Sequence, residues 1–155
     1  MENGITTKWE KVRALSWSER RVLVAAAAWL PLFWLALRLF GLRRIQAWLQ
    51  RDKVAAIPSS LALDEVARIG TLVNRAALHA PFPATCLTRS LLLRWMLRRR
   101  GVASRLRIGV RLNAGALDAH AWVEFTGIPI NDRPEVCKEF APFAELLPAE
   151  AFHSP

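Results

Sequence analysis

A change from helical to extended periodicity in the middle of the chain constrains its fold most strongly. An apolar run with helical spacing extends from Cys86 to Arg100, and Gly101 stands where a helix commonly ends in a left-handed residue. Residues 104–111 then alternate between apolar side chains and arginine, and Ala119–Phe125 is a second alternating segment. A third strand is expected at Pro129–Asp132. The pattern predicts a helix followed by strands joined by tight turns.

The part of the chain before this region has a helical character throughout residues 1–58. Val22 to Leu42 is strongly apolar, but its uncharged part, Val22–Leu37, has 16 residues, whereas a membrane span needs about 20. Pro31 is expected to break or kink a single helix there. We therefore expect two packed apolar helices. The alternative is peripheral attachment to a membrane, which the arginines on the flank would favour: Arg43, Arg44 and Arg51.

A change in composition near residue 58 predicts the domain boundary. Residues 55–60 read AAIPSS, in which the proline and serines suit a turn and the cap of the next helix. Apolar residues at helical spacing follow in 61–78. We expect an N-terminal apolar helical region at 1–58 and a second domain at 59–155.

The charge of the chain narrows the partners that it would bind. The net charge is +9, and no acidic residue occurs between Glu65 and Asp118. Such a field favours an anionic partner: an acidic peptide, a nucleic acid or a membrane face. No nucleic-acid-binding motif accompanies the arginines, so a nucleic acid is not expected. A solvated arginine face is the alternative interpretation.

The cysteine and histidine content indicates the compartment. Two cysteines among 155 residues are too few for a disulfide framework or a structural zinc site, which favours a reducing environment. The N-terminus does not resemble a secretory signal. The protein is expected in the cytoplasm, with the inner-membrane surface as the alternative location.

Cys86 is the candidate nucleophile. Thr85 is a good N-cap, which places Cys86 at the first helical position. Unpaired backbone N–H groups and the positive end of the helix dipole would there favour the thiolate over the thiol. The same N–H groups can bind an oxyanion. A single cysteine is more often a small buried hydrophobe, so the catalytic interpretation depends on a histidine and a carboxylate nearby.

His120 and Asp132 are the candidate base and the candidate carboxylate that orients it. A three-residue loop at 126–128 would pair Trp122 with Asp132, and Asp132 would then lie diagonally beside His120 on one face of the sheet. A two-residue turn at 126–127 would direct Asp132 to the wrong face. The catalytic interpretation is therefore expected to require the three-residue loop.

Three other residues are weaker candidates. Asp118 precedes His120 by two positions and is the reserve carboxylate. Cys137 has no histidine near it in sequence and is expected to be a packed thiol. Asn131 could hydrogen-bond near the site, but it is expected to point away from Asp132, because neighbouring residues of a strand alternate between faces.

Four short motifs occur together in one order: PFP-x-x-C, RRRG, IGV and AHAWVE. Over about residues 60–145 they resemble the transglutaminase-like cysteine peptidases of lasso peptide biosynthesis, the B-protein leader peptidases. The resemblance implies an α+β fold of the papain/transglutaminase type, in which a cysteine-bearing helix packs on an antiparallel sheet, preceded here by apolar N-terminal helices. It implies the triad Cys86, His120 and Asp132, with no cofactor and no metal.

The same resemblance implies an activity and partners. The activity is removal of the leader from a ribosomally made lasso precursor, before an ATP-using, asparagine-synthetase-like cyclase closes the macrolactam. The implied partners are the precursor and a small winged-helix leader-recognition protein acting in trans, because residues 1–58 lack the strand signals of a winged helix; the cyclase is a further candidate. Two alternatives stay open: a transglutaminase-like acyl transferase, and a non-catalytic basic adaptor that binds an acidic peptide.

Overall fold

The computed structural model describes residues 15–51 and 61–142. Within these ranges the helices are α1 (Trp17–Arg51), α2 (Leu63–Leu78), α3 (Cys86–Arg98) and α4 (Val136–Glu139). The strands are β1 (Arg105–Asn113), β2 (Ala116–Phe125), β3 (Ile128–Pro129) and β4 (Ala141–Pro142). They form one antiparallel sheet in the order β3-β2-β1-β4. The predicted α+β fold, with a cysteine-bearing helix and an antiparallel sheet, is confirmed.

Helix α1 begins at a reciprocal cap and bends at a glycine. The Ser16 Oγ accepts a hydrogen bond from the Glu19 N–H at 3.3 Å, and the Glu19 carboxylate accepts one from the Ser16 N–H at 2.7 Å. The helix continues through Pro31 and is interrupted at Gly41, where φ is 73°. Two helical parts are therefore present, as predicted, but the break lies at Gly41 and not at Pro31. Gly41 takes the bend because a left-handed φ costs glycine little.

One apolar core joins the three long helices to one face of the sheet. Fully buried side chains from every layer meet there, among them Leu30 of α1, Val73 of α2, Leu92 of α3 and Val123 of β2. Burial of each such side chain contributes about 1.5–3 kcal/mol. The two parts of α1 on either side of the bend both reach this core. The predicted domain boundary at residue 58 lies outside the described residues and stays a prediction.

Both sheet turns contain two residues with positive φ. Ala114 and Gly115 have φ values of 48° and 83°, and Thr126 and Gly127 have values of 51° and 82°. Turns of this kind match the right-handed twist of the strands that they join. The second turn pairs Phe125 with Ile128, so the predicted three-residue loop is wrong. The predicted third strand at Pro129–Asp132 is also wrong in its bounds, since pairing ends at Pro129.

Candidate active site

Cys86 is the first residue of α3, as predicted. The N-cap Thr85 accepts a hydrogen bond from the Thr88 N–H through its Oγ1 at 3.3 Å, and the first turn of the helix contains no acidic residue. The side chain of Cys86 is half-buried. The sulfur therefore belongs to a helix terminus whose backbone N–H groups are not matched by a side-chain carboxylate of that turn.

His120 and Asp132 are in direct contact. The His120 Nε2 lies 2.5 Å from the Asp132 Oδ2, and both side chains are mostly buried. Because an ionised carboxylate only accepts hydrogen bonds, Nε2 is the donor of this contact, and Nδ1 is the ring nitrogen left for another partner. The structure thus joins two of the three predicted residues in the arrangement that a general base would need.

Asp132 reaches His120 although the turn has only two residues. The Ile130 N–H still donates to the Val123 carbonyl at 3.0 Å. At the next position the side-chain Oδ1 of Asn131 accepts from the Val123 N–H at 2.8 Å. A side chain thus replaces the backbone in the ladder, and Asp132 lies beyond the paired strand. Our expectation that a two-residue turn removes the carboxylate is wrong, because alternation between faces holds only where strands stay paired.

A buried polar network connects the elements that carry the three predicted residues. Asn131 donates from Nδ2 to the Ser90 Oγ at 3.0 Å, and Ser90 donates to the Ala121 carbonyl at 3.0 Å. The carbonyl of Asn131 accepts from the Asn74 Nδ2 at 2.7 Å. Ser90 lies one helical turn after Cys86, Ala121 follows His120, and Asn131 precedes Asp132. Satisfied buried networks of this kind rigidify the groups that they join.

Sequence reasoning missed Ser90 and Asn74, and it allowed Asn131 a hydrogen bond near the site without naming the partner. A signal for Ser90 existed: a hydroxyl directly precedes the leucine run Leu91–Leu93, which is fully buried. A buried polar group needs a hydrogen-bond partner, so this serine predicted a polar contact between the helix and the sheet. The sequence could not identify that partner.

No hydrogen bond joins the Cys86 sulfur to the imidazole in the part of the chain that the structure describes. The link between α3 and β2 is made one turn further along, by Ser90 and Ala121. Catalytic hydrogen bonds in substrate-free enzymes are often long and shorten when substrate binds. The geometry therefore places the nucleophile and the base on connected elements without an existing sulfur–imidazole bond.

Two aromatic rings flank the imidazole, and a glycine makes room for them. The ring centroids of Trp122 and Phe140 lie 6.3 Å and 5.2 Å from that of His120. Gly109 is the partner of His120 across the β1–β2 ladder. A Cβ at Gly109 would lie 2.8 Å from the Phe140 Cβ and 2.9 Å from the Trp122 Cη2. The glycine of the IGV motif therefore allows the aromatic wall to close beside His120.

Cys137 is the second thiol of the site region, and its environment opposes ionisation. It donates to the Glu124 Oε1 at 3.6 Å. Partial burial, followed by the charge of Glu124, raises the pKa of the Cys137 thiol. The residue is exposed, so the expectation of a packed thiol is wrong. A protonated thiol is a poor nucleophile, which leaves Cys86 as the better candidate.

Glu124 stays ionised despite its burial. Burial opposes its ionisation, but hydrogen bonds from Arg107 and Trp122 and the charge of Arg107 together hold the pKa of Glu124 below its usual value. The Arg107 Nε lies 2.9 Å from the Glu124 Oε2, and the Trp122 Nε1 donates to the Oε1 at 3.0 Å. The Glu124 carboxylate thus holds the indole of Trp122 in place beside His120.

The reserve carboxylate has a different partner. Asp118 stands opposite Arg111 in the β1–β2 ladder, and its Oδ2 accepts from the Arg111 Nε at 2.9 Å. The carboxylate in contact with His120 is that of Asp132.

Gly70 controls how closely the segment that carries Asp132 approaches α2. A Cβ at this position would overlap the carbonyl oxygen of Ile130, a backbone atom that cannot turn aside. We predict that Gly70→Ala destabilises the protein by about 1–3 kcal/mol, as overpacking does, and lowers activity. Thr71→Ala, at an exposed neighbouring position, is the control and is expected to cost about 0.5 kcal/mol or less. Chemical denaturation measures both; equal stabilities would contradict the close approach.

Comparison with known proteins gives one match. The family model of the transglutaminase-like superfamily matches residues 22–145, which include most of α1 as well as the sheet and the candidate site. No curated protein and no solved structure matches the chain.

Proposed function

The chain belongs to the transglutaminase-like superfamily, which indicates cysteine peptidase or acyl-transferase chemistry, and we propose that it is the peptidase that removes the leader from a lasso peptide precursor. The observation that carries the peptidase chemistry is the 2.5 Å contact between the His120 Nε2 and the Asp132 Oδ2. Cys86 begins the helix that Ser90 ties to the strand of that histidine. A thiol, a base and an orienting carboxylate are the groups that nucleophilic acyl transfer requires.

The proposed reaction has two steps. The Cys86 thiol gives its proton to the His120 Nδ1, and the resulting thiolate attacks the carbonyl carbon of the last leader residue while the backbone N–H groups of the first turn of α3 receive the oxyanion. The peptide C–N bond then breaks, the Nδ1 proton passes to the departing amine of the core peptide, and a thioester stays on the sulfur. His120 next removes a proton from water, the hydroxide attacks the thioester carbonyl and the C–S bond breaks, so that the leader leaves as its carboxylic acid, which ionises, and the Nδ1 proton returns to the sulfur. Asp132 holds the imidazole through Nε2 in both steps.

The leader-peptidase assignment rests on the four motifs that the chain shares with the B-protein leader peptidases. Two of their residues have a structural role at the site: Gly109 of IGV admits the aromatic wall, and His120 of AHAWVE contacts Asp132. The proposed partners are the precursor and a winged-helix recognition protein in trans, with the cyclase as a further candidate. Genes for these three proteins are expected beside the gene for this chain, and a neighbourhood without any of them would contradict the assignment.

A basic cavity supports an acidic peptide segment as part of the substrate. It has a volume of about 590 Å³, and its charged lining consists of four arginines, Arg94, Arg98, Arg105 and Arg107, and one carboxylate, Glu124, which pairs with Arg107. Arg94 and Arg98 are one turn apart on the same helix, where like charges repel. Burial first, and the charge of Arg98 second, lower the pKa of Arg94. A bound carboxylate would relieve both costs.

The same cavity is the observation that favours the second candidate function, a non-catalytic adaptor for an acidic peptide. The two functions differ in turnover. An adaptor would bind the precursor in a salt-sensitive manner and leave it intact, and its binding would survive Cys86→Ala.

The test is reconstitution of the purified chain with precursor and recognition protein, followed by mass spectrometry. The proposal expects a free leader carboxylate and a free core amine. A leader joined to an added amine would reassign the chain to acyl transfer without hydrolysis. Intact precursor after long incubation, together with salt-sensitive binding, would contradict the peptidase and favour the adaptor.

A further inference from the structure

The outward face of α1 is apolar along its whole first part. Val24, Leu32, Leu35 and Leu39 recur at helical spacing, and their exposed fractions are 68%, 53%, 44% and 64%. From Val24 to Leu39 this stripe measures about 22 Å along the helix axis. Helices on the surface of soluble proteins normally carry polar residues on this side. A contiguous exposed apolar face of this kind marks an interaction surface.

Arginines bound the apolar stripe, and no acidic residue interrupts it. Residues 22–37 carry no charge, while Arg21 precedes them and Arg38, Arg43 and Arg44 follow. After Glu19, α1 contains no acidic side chain at all. An apolar face with basic ends is complementary to the acyl region and the anionic headgroups of a membrane surface. The long arginine side chains can lie along apolar surface while their charged ends reach the headgroup level.

The bend at Gly41 adds an apolar cavity next to the stripe. Its volume is about 400 Å³, and its walls are aromatic and aliphatic side chains that include Trp29, Phe40 and Trp48, with Arg44 as the charged group of the lining. Trp29 and Trp48 are 40% and 51% exposed. Tryptophan is enriched at membrane–water interfaces. The cavity thus combines a site for an apolar chain with a cation for the phosphate of a headgroup.

The inner face of α1 shows how such a helix would meet a membrane. Val22, Ala26, Leu30 and Phe33 are buried in the core that α1 shares with α2 and α3, and Glu19 forms an ion pair with Arg68 of α2. Trp17–Leu49 contains an 18-residue window that is apolar enough by composition to cross a membrane, with a mean hydropathy of 2.0, and only 22% of that window is buried. One face of α1 packs in the core of the domain and the opposite face is exposed. This arrangement suits a helix that lies in the plane of the membrane–water interface.

We propose that the outer face of α1, defined by Val24, Leu32, Leu35 and Leu39 with the cavity at the bend, docks on an anionic lipid surface. A protein partner is less well matched, because protein interfaces carry about one hydrogen bond per 100–200 Å² and the side chains of this stripe offer none. The inner face of α1 packs on the rest of the domain, as predicted from the sequence. The proposed docking surface is the opposite face of the same helix. This inference does not depend on the proposed peptidase activity.

Flotation of the full chain with vesicles tests the proposal. The chain is expected to float with vesicles of phosphatidylcholine and phosphatidylglycerol, and to float less with phosphatidylcholine alone or at high salt. Leu35→Glu with Leu39→Glu is expected to abolish flotation. The control is Leu112→Glu with Leu117→Glu, since these leucines of the β1–β2 hairpin are 77% and 75% exposed but lie outside the stripe; it should float as the wild type does.

A second variant is needed because the glutamate substitutions at Leu35 and Leu39 could disturb folding. Arg43→Ala with Arg44→Ala leaves the apolar face intact and is expected to weaken binding to the anionic vesicles by about 10- to 30-fold. Circular dichroism verifies that each variant is folded. A wild-type chain that stays at the bottom of the gradient with both kinds of vesicle would overturn the proposal. So would a wild-type dimer that Leu35→Glu converts to a monomer while vesicle binding is absent.

Discussion

Cys86→Ala is expected to abolish cleavage of the precursor, with a fall in rate on the order of 10⁴-fold or more, because it removes the nucleophile on which both proposed steps depend. Alanine is small and has a high helix propensity, so the first turn of α3 and its Thr85 cap should persist. Product formation measured by mass spectrometry, with circular dichroism to verify folding, gives the result.

Cys137→Ala is the matched control. Partial burial and the charge of Glu124 raise the pKa of the Cys137 thiol, and the proposed chemistry assigns this thiol no role. This variant is expected to cleave within about twofold of the wild-type rate, as for a surface substitution. Undiminished cleavage by Cys86→Ala, or a loss confined to Cys137→Ala, would contradict the assignment of the nucleophile.

Asp132→Asn is expected to lower kcat by about 10⁴-fold without unfolding the protein, as loss of the correct imidazole tautomer does. The hydrogen bonds of Asp132 explain why. Its Oδ1 accepts from the Arg133 N–H at 2.8 Å, while its Oδ2 contacts the His120 Nε2. An asparagine would keep its oxygen on the Arg133 N–H and direct its NH₂ group at Nε2. Nε2 must then accept, which moves the ring proton to Nδ1 and removes the base.

Asp118→Asn separates this effect from a general loss of charge. It removes one carboxylate two residues from His120, but that carboxylate pairs with Arg111 at the surface. Exposed ion pairs contribute about 0–1 kcal/mol, so activity and stability should change little. A large loss in Asp118→Asn, with an active Asp132→Asn, would transfer the orienting role to the reserve carboxylate.

The parts of the site that were predictable from sequence are those that local chemistry decides. The Thr85 side chain caps α3 by accepting a hydrogen bond from the N–H of Thr88, three residues later, and this places Cys86 at the helix terminus. Alternation of side chains identified β1 and most of β2. Gly101, with a φ of 73°, ends the α3 region as its position predicted. Each of these signals acts within a few residues, so one sequence contains it.

The parts that were not predictable depend on contacts between distant segments. The polar link of Asn131 to Val123 and Ser90 decides where the backbone leaves the sheet, and hence where Asp132 lies. Strand β4 pairs Pro142 with Gly109, a contact between segments more than 30 residues apart. The bend of α1 at Gly41 instead of Pro31 depends on the core that holds both parts of the helix. Tertiary packing overrides local propensity at each of these positions.

The central claim is that the imidazole held by Asp132 activates the sulfur of Cys86, and the rate of alkylation of each thiol tests it most directly. Iodoacetamide treatment followed by peptide mass spectrometry measures the alkylation of Cys86 and of Cys137 in the same sample, and it needs no substrate. In the wild type Cys86 is expected to react at least about tenfold faster than Cys137, because the thiolate is the reactive form. His120→Ala should reduce the Cys86 rate while the Cys137 rate stays unchanged. A Cys86 rate that is the same with and without His120 would contradict the account.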